Sequence, residues 1–224
     1  LLKKEIEAIN LVIQNKKEPV TCIIGGSKIS TKINVISSLI EKVNNLIIVG
    51  AMANNFFAYK NLKVGKSLIE DNTKLVIKEI YKKAKKNKCK IFIPEDCVVG
   101  TSFNGNGENK DLNTVLENEI ILDIGPKTVE IIKDKINQSK TVLWNGPAGY
   151  FENENFRNGT MFIANAISEN TENKSLISVL GGGDTLTAIN KSKNKLSFTH
   201  LSTAGGAFLE YLEGKDLPGL SVLK

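Results

Sequence analysis

Short apolar runs that alternate with helix-length amphipathic stretches constrain this chain more than any other feature. The runs are Val20–Ile24, Leu46–Val49, Lys90–Ile93, Thr141–Trp144, Leu176–Leu180 and Phe198–Leu201. They are β-branched or leucine-rich and lack strict polar alternation, so each predicts a strand covered on both faces. The helical pattern predicts Ser30–Lys42, Ala51–Tyr59, Asn72–Lys86, Thr128–Ile136, Phe156–Ser168 and Thr185–Asn190, with Gly205–Leu212 after the last strand. Strand and helix repeated in this way demand a parallel sheet with helices on both sides. Two polar stretches break the rhythm. Thr101–Glu119, with Gly105 and Gly107, reads as a long surface excursion, and Glu169–Lys174 reads as a polar turn. There is no internal repeat.

Composition narrows the class. With 224 residues, 41% hydrophobic and 24% charged, the chain can support its own core and is neither a disordered tail nor a disulfide-knotted peptide. A formal charge of +6 suits an anionic ligand without selecting one. Cys22, Cys89 and Cys97 are an odd set with no CxxC spacing, so they predict buried thiols in a reducing, cytoplasmic setting and neither disulfides nor a zinc site. No stretch approaches the ~18 apolar residues of a membrane span. Leu1–Asn15 is amphipathic and unlike a leader, and the absence of an initiator Met suggests a start inside a longer protein. The Lys-rich run Lys82–Lys90 reads as the solvated basic end of a helix; it lacks the interleaved aromatics of a nucleic-acid surface.

Glycine-rich turns follow five of the six strands: Gly25-Gly26-Ser27-Lys28, Gly50-Ala51-Met52, Asn145-Gly146-Pro147-Ala148-Gly149, Gly181-Gly182-Gly183-Asp184-Thr185 and Ser202-Thr203-Ala204-Gly205-Gly206. In a parallel sheet these turns share the carboxyl edge, where ligands bind near the point at which strand order reverses. Glycine permits close backbone approach, and each following helix aims free N–H groups at the same place. Lys28 and Lys32 stand one helical turn apart at a helix start, where the dipole disfavours cations unless a phosphate answers them. Asp184 could hold a magnesium ion shared with phosphate oxygens, or it could cap the helix that begins at Thr185.

Three features point elsewhere and are set aside. Val64-Gly65-Lys66-Ser67 looks like the end of a P-loop, but Lys60 stands where its first Gly belongs. No GxGxxG follows the first strand, which counts against a nicotinamide dehydrogenase. His200, the single histidine, has no nucleophile–acid set around it and is expected to be structural.

Taken together the motifs resemble the C-terminal half of the phosphoglycerate kinase family. The resemblance rests on Gly25 through Lys32, Val64-Gly65-Lys66-Ser67-Leu68, Leu122-Asp123-Ile124-Gly125-Pro126 and Trp144-Asn145-Gly146-Pro147 with Phe151-Glu152. It continues through Gly181-Gly182-Gly183-Asp184-Thr185, Ser202-Thr203, Leu209-Glu210, Glu213-Gly214-Lys215 and Leu217-Pro218-Gly219, in family order and closest to a bacterial branch. The resemblance implies a phosphotransferase of glycolysis with a carboxyl group as acceptor. Its partners would be ADP or ATP with Mg2+, and 3-phosphoglycerate or 1,3-bisphosphoglycerate.

The family also implies roles. Lys28 would follow the migrating phosphoryl group, with Gly205 and Gly206 opening a helix toward it. Lys32 and Asn145 would hold nucleotide phosphates. Gly182, Gly183, Asp184 and Thr185 would wrap the terminal phosphates, with Asp184 on the metal. Glu152 would bond the ribose, and Gly50, Ala51 and Leu122 would border the adenine. Ala51 and Ala204 stand where the family has glycine; a positive φ at Ala204 would strain that turn. The family's basic N-terminal half has no counterpart, and Arg157, the single arginine, reads as structural.

The expectation is a Rossmann-like α/β fold, three-layered and doubly wound, with about six parallel strands in the order 3-2-1-4-5-6. Residues 1–224 would form a monomeric nucleotide-binding lobe that catalyses poorly alone, without nucleic-acid or membrane partners. Two readings stay open beside it: a nucleotide-binding module without catalysis, and a dehydrogenase or sugar-phosphate enzyme on a similar fold.

Overall fold

The computed structural model describes residues 7, 10–12 and 15–215. Most of Leu1–Asn15, and Leu217-Pro218-Gly219, lie outside the described residues. The central sheet is formed by β1 (Val20–Ile24), β2 (Asn45–Ile48), β3 (Lys90–Phe92), β7 (Thr141–Asn145), β8 (Ile177–Gly181) and β9 (His200–Leu201). All its pairings are parallel, in the order β3-β2-β1-β7-β8-β9. Counted within the sheet, that is the expected 3-2-1-4-5-6. The helices are α1 (Ile33–Ile40), α2 (Ala53–Tyr59), α3 (Lys74–Lys86), α4 (Pro126–Gln138), α5 (Asn158–Lys174), α6 (Gly183–Ile189) and α7 (Gly206–Leu212).

Alternate strand residues serve opposite faces, because the strand repeat is two residues. Cys22 and Ile24 of β1 join Leu46, Ile48, Leu143 and Val179 in a core covered by α1, α2, α3 and α7. Ile23 joins Ile47, Val142, Trp144 and Leu180 beneath α4 and α5. Helices on both faces explain why the strands read as unbroken apolar runs. The three cysteines are free and buried. Burial pushes the Cys89 thiol up to about 11 and that of Cys97 up to about 12, so both stay neutral as small hydrophobes.

The excursion is more ordered than expected. A second sheet, antiparallel and of order β5-β4-β6, joins β4 (Asp96–Gly100), β5 (Glu108–Asp111) and β6 (Ile120–Ile124). The polar sequence of β5 hid it, since Glu-Asn-Lys-Asp belongs to an edge strand that faces water. Lys110 anchors this edge on the half-buried side, with Nζ 2.5 Å from Glu119 Oε1. Asp96 ties β4 to the main body. Its carboxylate accepts the Lys127 and Thr128 amides, each at 2.8 Å, and so answers the unpaired N–H groups at the start of α4.

Two boundaries move by three residues or more. The expected polar turn Glu169–Lys174 is the last stretch of α5, because its polar side chains bond back onto the helix. Asn170 Nδ2 donates to Ala166 O at 2.8 Å, and Thr171 Oγ1 to Ile167 O at 2.7 Å. The helix stops at Ser175, whose φ of 56° is left-handed. At the other boundary, α1 begins at Ile33 and not at Ser30, because the backbone of Lys32, at φ −123°, is not helical and caps the helix; before it, Ile29 and Ser30 give their amides to Glu70. Among the described residues no helix is long and apolar enough to cross a membrane.

Candidate functional site

Parallel strands end on one edge, and their turns are stitched together there. Gly25 N donates to Asn145 O at 2.8 Å, Val49 N to Ile24 O at 2.8 Å, and Gly50 N to Ala148 O at 3.1 Å. Gly146 N donates to Thr185 Oγ1 at 2.7 Å. Strands β1, β2, β7 and β8 thus share one rigid rim, and the reversal of strand order falls between β1 and β7.

A half-buried lysine lies at that reversal. Lys32 Nζ donates to Gly25 O at 2.8 Å and to Asn145 Oδ1 at 2.6 Å. Burial lowers its pKa from the usual 10.5 to about 8; the nearby Cys22 and Asp184 oppose that drop. Asn145 is 2% exposed, and its Nδ2 has no hydrogen-bond partner among the described residues. A buried amide donor without an acceptor is costly, which marks the space before it as a place for one. Gly182 borders that space. Its φ is +99°, and a Cβ there would stand 2.9 Å from Asn145 Nδ2. Gly182 is the N-cap of α6, so the amides of Gly183, Asp184 and Thr185 have no intrahelical acceptor.

Asp184 is not a cap. It lies in the first turn of α6, and no side chain caps that helix. It is exposed and lines a cavity of about 520 Å³. Gly50, Ala51, Leu122 and Glu152 line the same cavity, with Phe57, Leu68 and Ile120 among its apolar wall. The structure therefore brings Gly50, Ala51, Leu122, Glu152 and Asp184 together. Beside Asp184, Lys32 bonds Asn145, Gly182 borders Asn145, and Thr185 bonds the neighbouring Gly146 amide. Thr185 is fully buried, and its hydroxyl oxygen already accepts Gly146 N–H. Lys28 is exposed on the turn before α1, and Gly205 and Gly206 follow β9 on the same edge, outside the cavity wall. The concern over Ala204 dissolves, because the left-handed residue of that turn is Gly205, at φ +56°. Ala51 is not left-handed either.

Sequence reasoning missed several members of the wall. Asp123 is 3% exposed and lines the cavity. Its Oδ2 accepts Gly159 N and its Oδ1 accepts Ile124 N, at 2.8 and 2.9 Å. Burial raises its carboxyl to about 7 against those two hydrogen bonds. Phe103, from the excursion, packs edge-on against Tyr150 with centroids 5.0 Å apart, and both reach the cavity. Lys66 also lines it. The P-loop look-alike docks on the second sheet, with Lys66 N donating to Glu119 O at 2.7 Å and Ile121 N to Ser67 Oγ at 2.8 Å. Arg157 pairs with Glu154 at 3.3 Å, and His200 lies in β9 opposite Val179.

The fold and rim define a doubly wound α/β lobe with a cleft of mixed apolar and charged lining at its topological switch point. The phosphoglycerate kinase family model matches residues 1–215. The phosphoglycerate kinases of Zymomonas mobilis and Xanthobacter flavus are 44% and 43% identical to the whole chain, which covers 57% of each. The solved phosphoglycerate kinase of Coxiella burnetii superposes on the whole chain with a TM-score of 0.93 at 38% identity, over 58% of its own length. The chain belongs to the phosphoglycerate kinase family. It spans a little over half the length of the relatives it matches.

Proposed function

We propose that residues 1–224 are the nucleotide-binding lobe of a phosphoglycerate kinase. The whole enzyme would move a phosphoryl group reversibly between 1,3-bisphosphoglycerate and ADP, giving 3-phosphoglycerate and ATP. The observation that carries the proposal is the conjunction at the switch point: a lysine of lowered pKa, an orphaned buried amide and a cradle kept clear by Gly182. Among the described residues no carboxylate forms an ion pair with Lys32 and no acceptor meets Asn145 Nδ2, and a polyphosphate in the cradle answers both.

In this reading Lys32 and Asn145 Nδ2 hold the phosphates, with the amides of Gly183, Asp184 and Thr185. Glu152, on the same cavity as Asp184, bonds the ribose hydroxyls, and Gly50, Ala51 and Leu122 border the base. Lys28 serves the transferred phosphoryl group, and the Gly205–Gly206 turn offers it main-chain donors. The residues fit Mg2+. Asp184 offers an exposed carboxylate on the cavity, in the first turn of α6 beside the amides that would hold the phosphates, and it would bind the ion together with phosphate and water oxygens. Bound there, the ion would neutralise charge on the phosphates. Fixed donors and Lys then stabilise the charge that develops on the transferred group, which dominates phosphoryl transfer.

Substrate positioning needs a second lobe, so the chain alone should bind nucleotide and turn over poorly. Calorimetric titration with MgADP tests the first part: saturable one-site binding is expected, and a Lys32→Ala chain that binds equally well would refute the site. Assays with and without the family's N-terminal half test the second.

A further inference from the structure

Glu70 lies outside the rim and the cavity wall, yet it holds the turn that carries both lysines. Its Oε2 accepts Ile29 N at 2.6 Å and Ser30 N at 3.2 Å, and its Oε1 accepts the Ser30 hydroxyl. Glu70 is itself placed by α2, since Glu70 N donates to Asn55 Oδ1 at 2.8 Å. One residue earlier in α2, Asn54 Nδ2 donates to Leu68 O at 3.1 Å. Both asparagines are buried, so the segment 68–70 has a rigid backing. Burial pushes the Glu70 carboxyl up, but the bonds from Ser30 and Ile29 and the nearby Lys28 ammonium outweigh it and keep it ionised.

The two lysines differ in what fixes them. Lys32 is tied through its own ammonium to Gly25 O and Asn145 Oδ1, within the rim. Among the described residues Lys28 has no such anchor: it is exposed, and its carbonyl accepts Thr31 Oγ1 at 3.0 Å inside the turn. The buried Ile29 side chain seats that turn in the core, and Glu70 holds its amides from the outer side.

We propose that Glu70 is a positioning residue, fixing the Lys28–Lys32 turn so that Lys28 meets the terminal phosphate of a bound nucleoside triphosphate. This rests on the reading of Lys28 as the lysine of the transferred group. Selectivity is the signature: a loose turn displaces Lys28 from the third phosphate, while Lys32 and Asn145 still hold the other two.

The test measures MgATP and MgADP affinity of the chain, with amide exchange at Ile29 and Ser30. Variants are Glu70→Ala, Glu70→Gln, Lys28→Ala and the double Glu70→Ala/Lys28→Ala. Glu70→Ala should weaken MgATP about tenfold and MgADP less than about threefold, and should speed exchange at both amides. The double variant should be no weaker than Lys28→Ala, because the two act through one contact. Glu70→Gln keeps one acceptor oxygen and should fall between; if Glu70→Ala does not fold, Glu70→Gln decides on the same ATP-to-ADP ratio. Equal losses for both nucleotides, or no loss while Lys28→Ala is selective, overturn the role of Glu70. An unselective Lys28→Ala overturns the reading of Lys28 on which the role depends, and a chain that binds neither nucleotide overturns the proposed function itself.

Discussion

Lys32 Nζ and Asn145 Oδ1 stand 2.6 Å apart across 113 positions of sequence. The contact joins the turn after β1 to the end of β7, the two strands between which the order of the sheet reverses. It also orients the asparagine: with Oδ1 committed to the lysine, Nδ2 faces the space beside Gly182 as a donor.

The state of that lysine should be visible in proton linkage. A polyphosphate bound at Lys32 restores its charge, so binding above pH 8 takes up a proton. Calorimetry at pH 8.5 in buffers of different ionisation enthalpy should show uptake with MgADP, and Lys32→Ala should abolish it. The sign for stability follows from the lowered pKa. Between about 8 and the usual 10.5 the unfolded chain holds the extra proton, so this group favours folding increasingly as pH rises through that window.

Asp184→Ala should weaken Mg2+-nucleotide binding far more than binding of the metal-free nucleotide. No side chain caps α6, so the substitution removes no helix cap and Tm should move little. Equal losses with and without magnesium would show that the carboxylate does not meet the ion.

Gly182→Ala fails for two reasons at once. The backbone there is at φ +99°, and the new methyl would crowd Asn145 Nδ2 at 2.9 Å. A loss of about 1–3 kcal/mol in stability is expected from the strained backbone, measured by denaturant unfolding. MgADP affinity should fall with it, since the methyl occupies the cradle.

Asp123 links stability to pH in the opposite sense to a carboxylate whose pKa is lowered. Its folded pKa of about 7 lies above the usual 3.8, so the stability it contributes is complete at low pH and is lost as pH rises through 7. Carboxyl carbon shifts followed by NMR should place its midpoint near 7; a midpoint near 4 would mean that water reaches it.

The sheet was legible because burial on both faces leaves a plain signature, an apolar run without alternation. The rim was legible because parallel topology forces every such run to end on one edge, which put Lys32 and Asp184 there together; Asn145 stood in a turn of the same edge, but its role came from the family resemblance. Other residues depend on contacts between distant segments. Asp123 sits inside a motif that reads as strand and turn, and nothing in Leu-Asp-Ile-Gly-Pro says which face the carboxylate takes. Glu70 lies 41 positions from Ile29. The charged strand β5 looks like a loop until β4 pairs with it. In α5, Asn170 and Thr171 read as a turn because their preference for bonding the backbone is satisfied within the helix instead.

The pairing of β1 with β7 has a consequence for synthesis. The chain enters the world from its amino end, and Lys32 emerges long before Asn145. A nascent polypeptide halted before Thr141 holds the lysine, the leading glycines and most of one core, yet has no neighbour for the inner side of β1. Grip on a polyphosphate at the rim therefore waits not only for β7 to enter the middle of the sheet but also for β8 and α6, which carry Gly182 and Asp184 and are made later still.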